Sequence, residues 1–248
     1  PVVYDATDQR AGKVIAAQAE KMHAPAHPYD PRMVSITRRS DKGIAFVLKN
    51  RYYDNVCVQL PFLADYQAAN CSLAMMAIKA AADTGLLGER ARQLDDDRIC
   101  KALSTVRWAG RMEMILPDVV VDGAHNADGI AQFLKTVSRI SQTRRVSLLF
   151  AAVSDKDYEE MIREICRSAP YTSIVVTQVG EGRQVDAGVF AELFRRYCDA
   201  PVDAVPDVKD AFSLALSRKG DGMLFCAGSL YLVGDIRALL AGDTVQKH

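Results

Sequence analysis

The segment Val119-Val120-Val121-Asp122-Gly123-Ala124-His125-Asn126 sets an acid, a glycine turn and a His-Asn pair directly after an apolar run. If the run is a buried parallel strand, Asp122 stands at its carboxyl end, where open α/β sheets bind ligands. A carboxylate there can accept hydrogen bonds from ribose hydroxyls. His125 and Asn126 would project at a helix start, whose free N–H groups favour anions. The same residues also suit a simpler purpose, with Asp122 and Asn126 capping the helix and closing the turn. Arg111 follows Gly110, and its planar fork suits phosphate oxygens or an interdomain ion pair. Lys156 follows the apolar Ala152-Val153. It reads either as a cation for a carboxylate or as a lysine in a first helical turn, where the dipole disfavours it. Ser229 begins a turn after the last apolar run, as a hydrogen-bonding group or a cap. Asn70 shares a helix face with Gln67. Its carboxamide matches a base edge by its donor and acceptor, or it is simply solvated. Arg183, in Gly180-Glu181-Gly182-Arg183, is a further anion candidate.

The elements that must position these groups follow from periodicity. Pro1-Val2-Val3-Tyr4 reads as a strand, and residues 8–22 carry apolar positions at helical spacing. Pro25, Pro28 and Pro31 break that helix, with His23 and His27 flanking its end. Three strands read at 33–39, 43–49 and 55–60, the first two joined by Asp41-Lys42-Gly43. A helix rich in Ala and Met spans 64–82, and a short one about 95–105. From residue 107 the rhythm changes to strands at 112–116, 118–122, 145–151, 172–178, 201–204 and 222–227. They alternate with helices at 127–140, 156–168, 186–198, 207–218 and 232–241. Continuous apolar strands such as Ser173-Ile174-Val175-Val176 indicate a parallel sheet covered on both faces, hence a doubly wound α/β domain. The expected division is an incomplete α+β piece at 1–106 and a complete α/β domain at 107–248, with Trp108 packed at the boundary.

The 248 residues are 49% hydrophobic and 25% charged, ordinary for a globular protein with a real core. Thirty-one Lys and Arg balance 31 Asp and Glu, so no basic excess points to nucleic acid. No apolar run approaches the roughly 20 residues of a membrane span, and no charged-then-apolar leader opens the chain. A soluble, cytoplasmic protein is expected. The six cysteines form no C-x-x-C pair and read as buried reduced thiols, and the four histidines supply no metal site. A chain opening on Pro1 within a strand looks cut from the middle of a longer protein.

Asp122-Gly123-Ala124-His125-Asn126 resembles the Asp-Gly-Ala-His-Asn-Pro signature of folylpolyglutamate synthase and the related dihydrofolate synthase, in the Mur ligase superfamily. Trp108-Ala109-Gly110-Arg111-Met112-Glu113 is similar to the family's Trp-Pro-Gly-Arg-x-Glu, and Gln67-Ala68-Ala69-Asn70 to its Gln-x-x-Asn. Asp155-Lys156-Asp157 and Gly228-Ser229-Leu230-Tyr231-Leu232-Val233-Gly234 resemble two further motifs, in the family's order. Pro1-Val2-Val3 is similar to the residues directly after the family's Lys-Ala-Gly-Ile segment. The likeness runs along essentially the whole chain, as the back half of such an enzyme. Ala109, Ala127 and Tyr66 depart from the usual Pro, Pro and His. More seriously, no Gly-x-x-x-x-Gly-Lys-Ser/Thr phosphate loop occurs.

The resemblance implies a Rossmann-like Mur ligase C-terminal domain with a mostly parallel six-stranded sheet, preceded by the tail of the central ATPase domain. It implies an ATP-dependent C–N ligase, monomeric at full length, joining L-glutamate to a folate through an acyl phosphate. A dihydrofolate synthase acting on dihydropteroate, or a bifunctional enzyme, fits equally. From another class, a non-catalytic nucleotide- or amino-acid-binding module is the rival. Asn70, Arg111 and Asp122 are then expected at ATP, and His125, Lys156 and Ser229 at glutamate, with His125 and Lys156 also catalytic. The magnesium ligands are expected upstream of Pro1, so this chain alone should not turn over.

Overall fold

The computed structural model describes residues 1–245, including the side chains of all but 90–92 and 243–245 of these. The chain divides into two units, Pro1–Arg107 and Trp108–His248.

In the first unit, β1 (Val2–Asp5), α1 (Gln9–Lys21) and β2 (Ala26–Tyr29) form a crossover that pairs β1 with β2 in parallel. Asp8 starts α1 by accepting from the N–H groups of Arg10 at 2.8 Å and Ala11 at 3.2 Å. β2 was not foreseen, because Pro28 lies inside it. The pairing tolerates a proline since the sheet has only two strands and each has a free edge. His27 therefore sits in a strand rather than at a helix end, and is buried.

β3 (Val34–Ser40), β4 (Gly43–Leu48) and β5 (Val56–Leu60) form an antiparallel ribbon. Its inward side chains Phe46, Leu48, Val58 and Leu60 bury against Ala68, Cys71 and Met75 of α2 (Tyr66–Asp83), with Ile99 of α3 (Asp96–Ser104) in the same cluster. Tyr53 is buried there because its hydroxyl donates to the Met75 carbonyl at 2.9 Å.

The second unit is built on a six-stranded sheet. In chain order its elements are β6 (Glu113–Leu116), β7 (Val119–Val121), α4 (Ala127–Ser141), β8 (Val146–Phe150), α5 (Tyr158–Ser168), β9 (Tyr171–Val176), α6 (Ala187–Tyr197), β10 (Val202–Ala204), α7 (Val208–Lys219), β11 (Met223–Ala227) and α8 (Leu230–Val245). The spatial order is β10-β9-β8-β11-β7-β6. All neighbours are parallel except β6, which runs antiparallel to β7 with Glu113 opposite Val121.

Alternate side chains of each strand feed opposite layers. Val121, Leu149, Val175, Leu224 and Cys226 pack with Phe212, Leu232 and Ile236 of α7 and α8. On the other face Phe225 meets Phe133 of α4 edge-on at 5.8 Å, and Phe150 meets Phe190 and Phe194 of α6 at 5.5 and 5.4 Å. Val119, Val120 and Val121 are all buried, as a strand covered on both faces requires.

Four helices of this unit begin on an Asx cap: Asn126, Asp157, Asp186 and Asp207 each accept a backbone N–H two or three residues ahead. Asp157 corrects one expectation. Because it caps α5, the helix starts at Tyr158 and Lys156 lies in the turn before it. The cysteines also differ from expectation. Cys71 and Cys226 are buried, but Cys57 is exposed on the outward face of β5, and Cys100, Cys166 and Cys198 are half-buried. Among the described residues no helix is long and apolar enough to cross a membrane.

Candidate functional site

The carboxyl edge of the second sheet collects the loops that follow β7, β8, β9 and β11. Asp122 organises the first of them. Its residue is 2% exposed, and its two oxygens accept from different segments, Met112 N–H and Ala124 N–H, both at 2.8 Å. Burial raises the Asp122 pKa, opposed by those two N–H groups and by the charge of Arg111. The carboxylate thus lies beneath the surface, joining the turn after β7 to the loop before β6. Sequence reasoning put it at the ligand; its geometry gives it first the task of holding the residues around it.

The loop so held is Trp108–Met112. Gly110 accepts from Gly123 N–H at 2.7 Å and donates its own N–H to Glu113 at 2.9 Å. Gly110 has φ +67°, and a Cβ there would stand 3.0 Å from Val233 Cγ1. Glu113 is fixed in turn by Arg237 of α8, 2.5 Å away. Arg111, next to these ties, points its side chain outward and is exposed. Among the described residues no carboxylate lies within 4.0 Å of it, so the fork is available for an anion. Trp108, expected as packing, is 63% exposed on the same loop.

His125 is half-buried, and its Nδ1 lies 2.8 Å from the Gly123 carbonyl. A carbonyl can only accept, so Nδ1 carries the proton and Nε2 of the neutral ring is left as the acceptor. Asn126 caps α4 through Gly129 N–H at 2.8 Å, so its side chain serves the helix.

A second cluster rises after β8, β9 and β11. Asp155 lies 3.3 Å from Arg183 and 3.9 Å from Lys156, one carboxylate between two cations. Arg183 also donates to the Tyr231 hydroxyl and covers that ring at 5.4 Å from its centre. The β8 and β9 loops are tied by Ser154 N–H to the Arg183 carbonyl at 3.0 Å. Ser229 is 2% exposed, and its hydroxyl accepts from Tyr231 N–H at 3.1 Å, so it acts as the cap of α8. Tyr231 and Glu113 were legible only as letters of longer motifs. Their contacts join residues far apart in sequence.

Asn70 belongs to the first unit. It is exposed on α2 and donates to the Gln67 side chain at 3.3 Å, while Gln67 itself is buried. Among the described residues no three His, Cys, Asp or Glu side chains converge as a metal cage.

Residues 110–230 match the family model described as Mur ligase, glutamate ligase domain. This span belongs to that family. The matched residues run from Gly110 to Leu230 and include Arg111, Asp122, His125, Lys156, Arg183 and Ser229. Along nearly all of its length, 97%, the chain is 24% identical to a dihydrofolate synthase/folylpolyglutamate synthase of Bacillus subtilis, of which it covers 54%. A probable bifunctional folylpolyglutamate synthase/dihydropteroate synthase of Haloferax volcanii is 28% identical over 77% of the chain and 22% of its own length.

The fold of the chain, glutamate ligase domain included, is that of solved folylpolyglutamate synthases. The Thermotoga maritima structure superposes with TM-score 0.75 over 97% of this chain and 54% of its own, at 23% identity. A Mycobacterium tuberculosis structure, complexed with ADP and AMPPCP, gives 0.73 over 92% and 52%, at 24% identity. The chain therefore spans about half the length of the Bacillus subtilis relative and of both solved structures.

Proposed function

We propose that the chain is the C-terminal part of an ATP-dependent ligase that attaches L-glutamate to the carboxylate of a folate. The observation that carries this reading is the glutamate ligase domain together with its outward Arg111, held by Asp122 at the sheet's carboxyl edge. The first unit is then the closing portion of the ATP-binding domain. Joining glutamate to dihydropteroate is the second reading, supported by the Bacillus subtilis relative, whose name carries both activities.

ATP, when bound, supplies the phosphoryl group that activates the acceptor carboxylate. Arg111 binds phosphate oxygens through its fork, which neutralises charge that builds during transfer. Asn70 offers a donor and an acceptor to a base edge. Asp122 keeps the Arg111 loop and the His125 turn in fixed relation. Lys156 and Arg183, with one carboxylate between them, carry a net positive charge suited to a glutamate carboxylate. Ser229 sets the start of α8, and with it Tyr231, beside them. His125 presents Nε2 as a hydrogen-bond acceptor for the amino group of glutamate. Magnesium enters this reading as the companion of the ATP phosphates.

The deciding assay compares the purified chain with the same protein extended by the upstream half encoded by its gene. Each is given ATP, magnesium and radiolabelled glutamate, with tetrahydrofolate or dihydropteroate as acceptor. Incorporation by the extended protein alone is the expected result, and the preferred acceptor separates the two readings. Failure of a folded extended protein to incorporate glutamate into either acceptor would overturn both.

A further inference from the structure

At the opposite, amino edge of the sheet, two half-buried thiols meet. Cys166 lies in the last turn of α5 and Cys198 directly after α6, close enough that each thiol shifts the other's pKa. Both line an open cavity of about 430 Å³, walled by Pro170, Tyr171, Tyr197 and Asp199. No group of the ligase reading lies in this cavity. We propose that Cys166 and Cys198 form a reversible redox site that reacts with small-molecule disulfides and closes to an internal disulfide.

The two positions differ in chemistry. Hydrogen bonds from the Cys166 thiol and from Ala200 N–H stabilise the Cys198 thiolate and lower its pKa, against burial and the nearby Asp199. Cys166 is held up as the donor in that bond, by Cys198 and by burial. The buried Tyr171 hydroxyl faces the pair, and its own partner is Ser168. Cys198 is therefore the attacking sulfur and Cys166 the resolving one.

The Cys198 thiolate attacks one sulfur of a disulfide RSSR, forming Cys198–S–S–R and releasing RS⁻, which takes up a proton. Cys166 then loses its proton and attacks Cys198 Sγ, forming the internal bond and releasing the second RS⁻. Two protein thiols are oxidised and one RSSR is reduced to two RSH. The bond would tie the carboxyl end of α5 to the carboxyl end of α6. These helices already pack side by side, with Tyr197 at the end of α6 bonded to Glu159 in the first turn of α5 at 2.6 Å.

The test incubates the purified chain with glutathione disulfide and reads intact mass and peptide maps over time. The expected product has lost two hydrogens and carries a Cys166–Cys198 cross-link that dithiothreitol reverses, with a raised Tm. Cys166→Ser should stop at a glutathione adduct on Cys198. Cys198→Ser should lose modification at this cavity, with unchanged circular dichroism. Below pH 8, iodoacetamide should label Cys198 faster than it labels free glutathione. The proposal is overturned if the wild-type protein accumulates adducts at the exposed Cys57 without a 166–198 cross-link. It also fails if the link forms between Cys166 or Cys198 and another cysteine.

Discussion

The carboxylate of Asp122 receives the backbone N–H of Met112, |i−j| = 10 along the chain, at 2.8 Å. Its other oxygen receives Ala124, so one buried side chain sets the distance between two loops. Asp122→Ala leaves both N–H groups without an acceptor. Each unsatisfied buried donor costs about 1–3 kcal/mol, so the expected loss of unfolding free energy is about 2–4 kcal/mol. Asp122→Asn should recover only part of it, because its NH2 must face one of the N–H groups. Urea unfolding followed by circular dichroism reads both values, and an unmoved midpoint in Asp122→Ala would show that the clamp holds nothing.

The same residue has a pH signature. Burial raises the folded pKa of Asp122 above its ordinary 3.8, so the folded state binds the proton more tightly than the unfolded chain. Its contribution to stability is greatest below the unfolded value and declines as pH rises through the folded one. The wild type should therefore gain stability relative to Asp122→Asn as pH falls from 7 toward 4. Urea midpoints of the pair across that range measure the gap, and a gap that narrows on acidification contradicts the raised value.

Arg111 separates binding from folding. It is exposed, so Arg111→Ala should shift stability by no more than about 0.5 kcal/mol. In the extended protein, by contrast, glutamate incorporation should fall by at least tenfold. Arg111→Lys should resemble Arg111→Ala, because a point charge does not reproduce two parallel hydrogen bonds to phosphate oxygens. Steady-state kinetics decide the matter. Full activity with lysine would reduce the role of Arg111 to charge alone.

Two glycines near the site should respond differently to alanine. A Cβ at Gly123 would lie 2.3 Å from Leu230 Cδ2, the tip of a side chain that is 56% exposed and able to turn aside. A Cβ at Gly228 would lie 2.3 Å from the Ala151 carbonyl oxygen, at φ +106°. There both the backbone conformation and a backbone atom oppose it. Gly228→Ala should cost more than about 2 kcal/mol and Gly123→Ala less than about 1 kcal/mol. Thermal unfolding of the two variants checks the order, and equal losses would refute it.

The alternation of strands and helices after residue 107 was readable because parallel strands must be apolar on both faces, as Val119–Val121 and Ile174–Val176 are. Caps were less readable. Asp155-Lys156-Asp157 holds two candidate acids, and only the backbone path shows that Asp157 begins the helix. β2 stayed hidden because Pro28 argues locally against a strand, whereas pairing with β1 is a tertiary event. Residue types made Arg111, His125 and Lys156 candidates. The subsurface placement of Asp122 and Ser229 depends on Met112, Ala124 and Tyr231 meeting them in space, which spacing does not encode.

The reversed direction of β6 has a practical corollary for dissecting this protein. Parallel strands can offer a common rim only the turns that leave them, but an antiparallel neighbour brings to that rim the segment that leads in. The junction of the two units, at Arg107 and Trp108, consequently lies only a few positions ahead of Arg111. A fragment started at Trp108 would carry a fresh ammonium group close to Arg111, beside the proposed anion site, adding a cation there that the whole chain does not have. Its phosphate affinity would then report the cut as well as the domain, so an acetylated start, or a few retained upstream residues, is the sounder boundary.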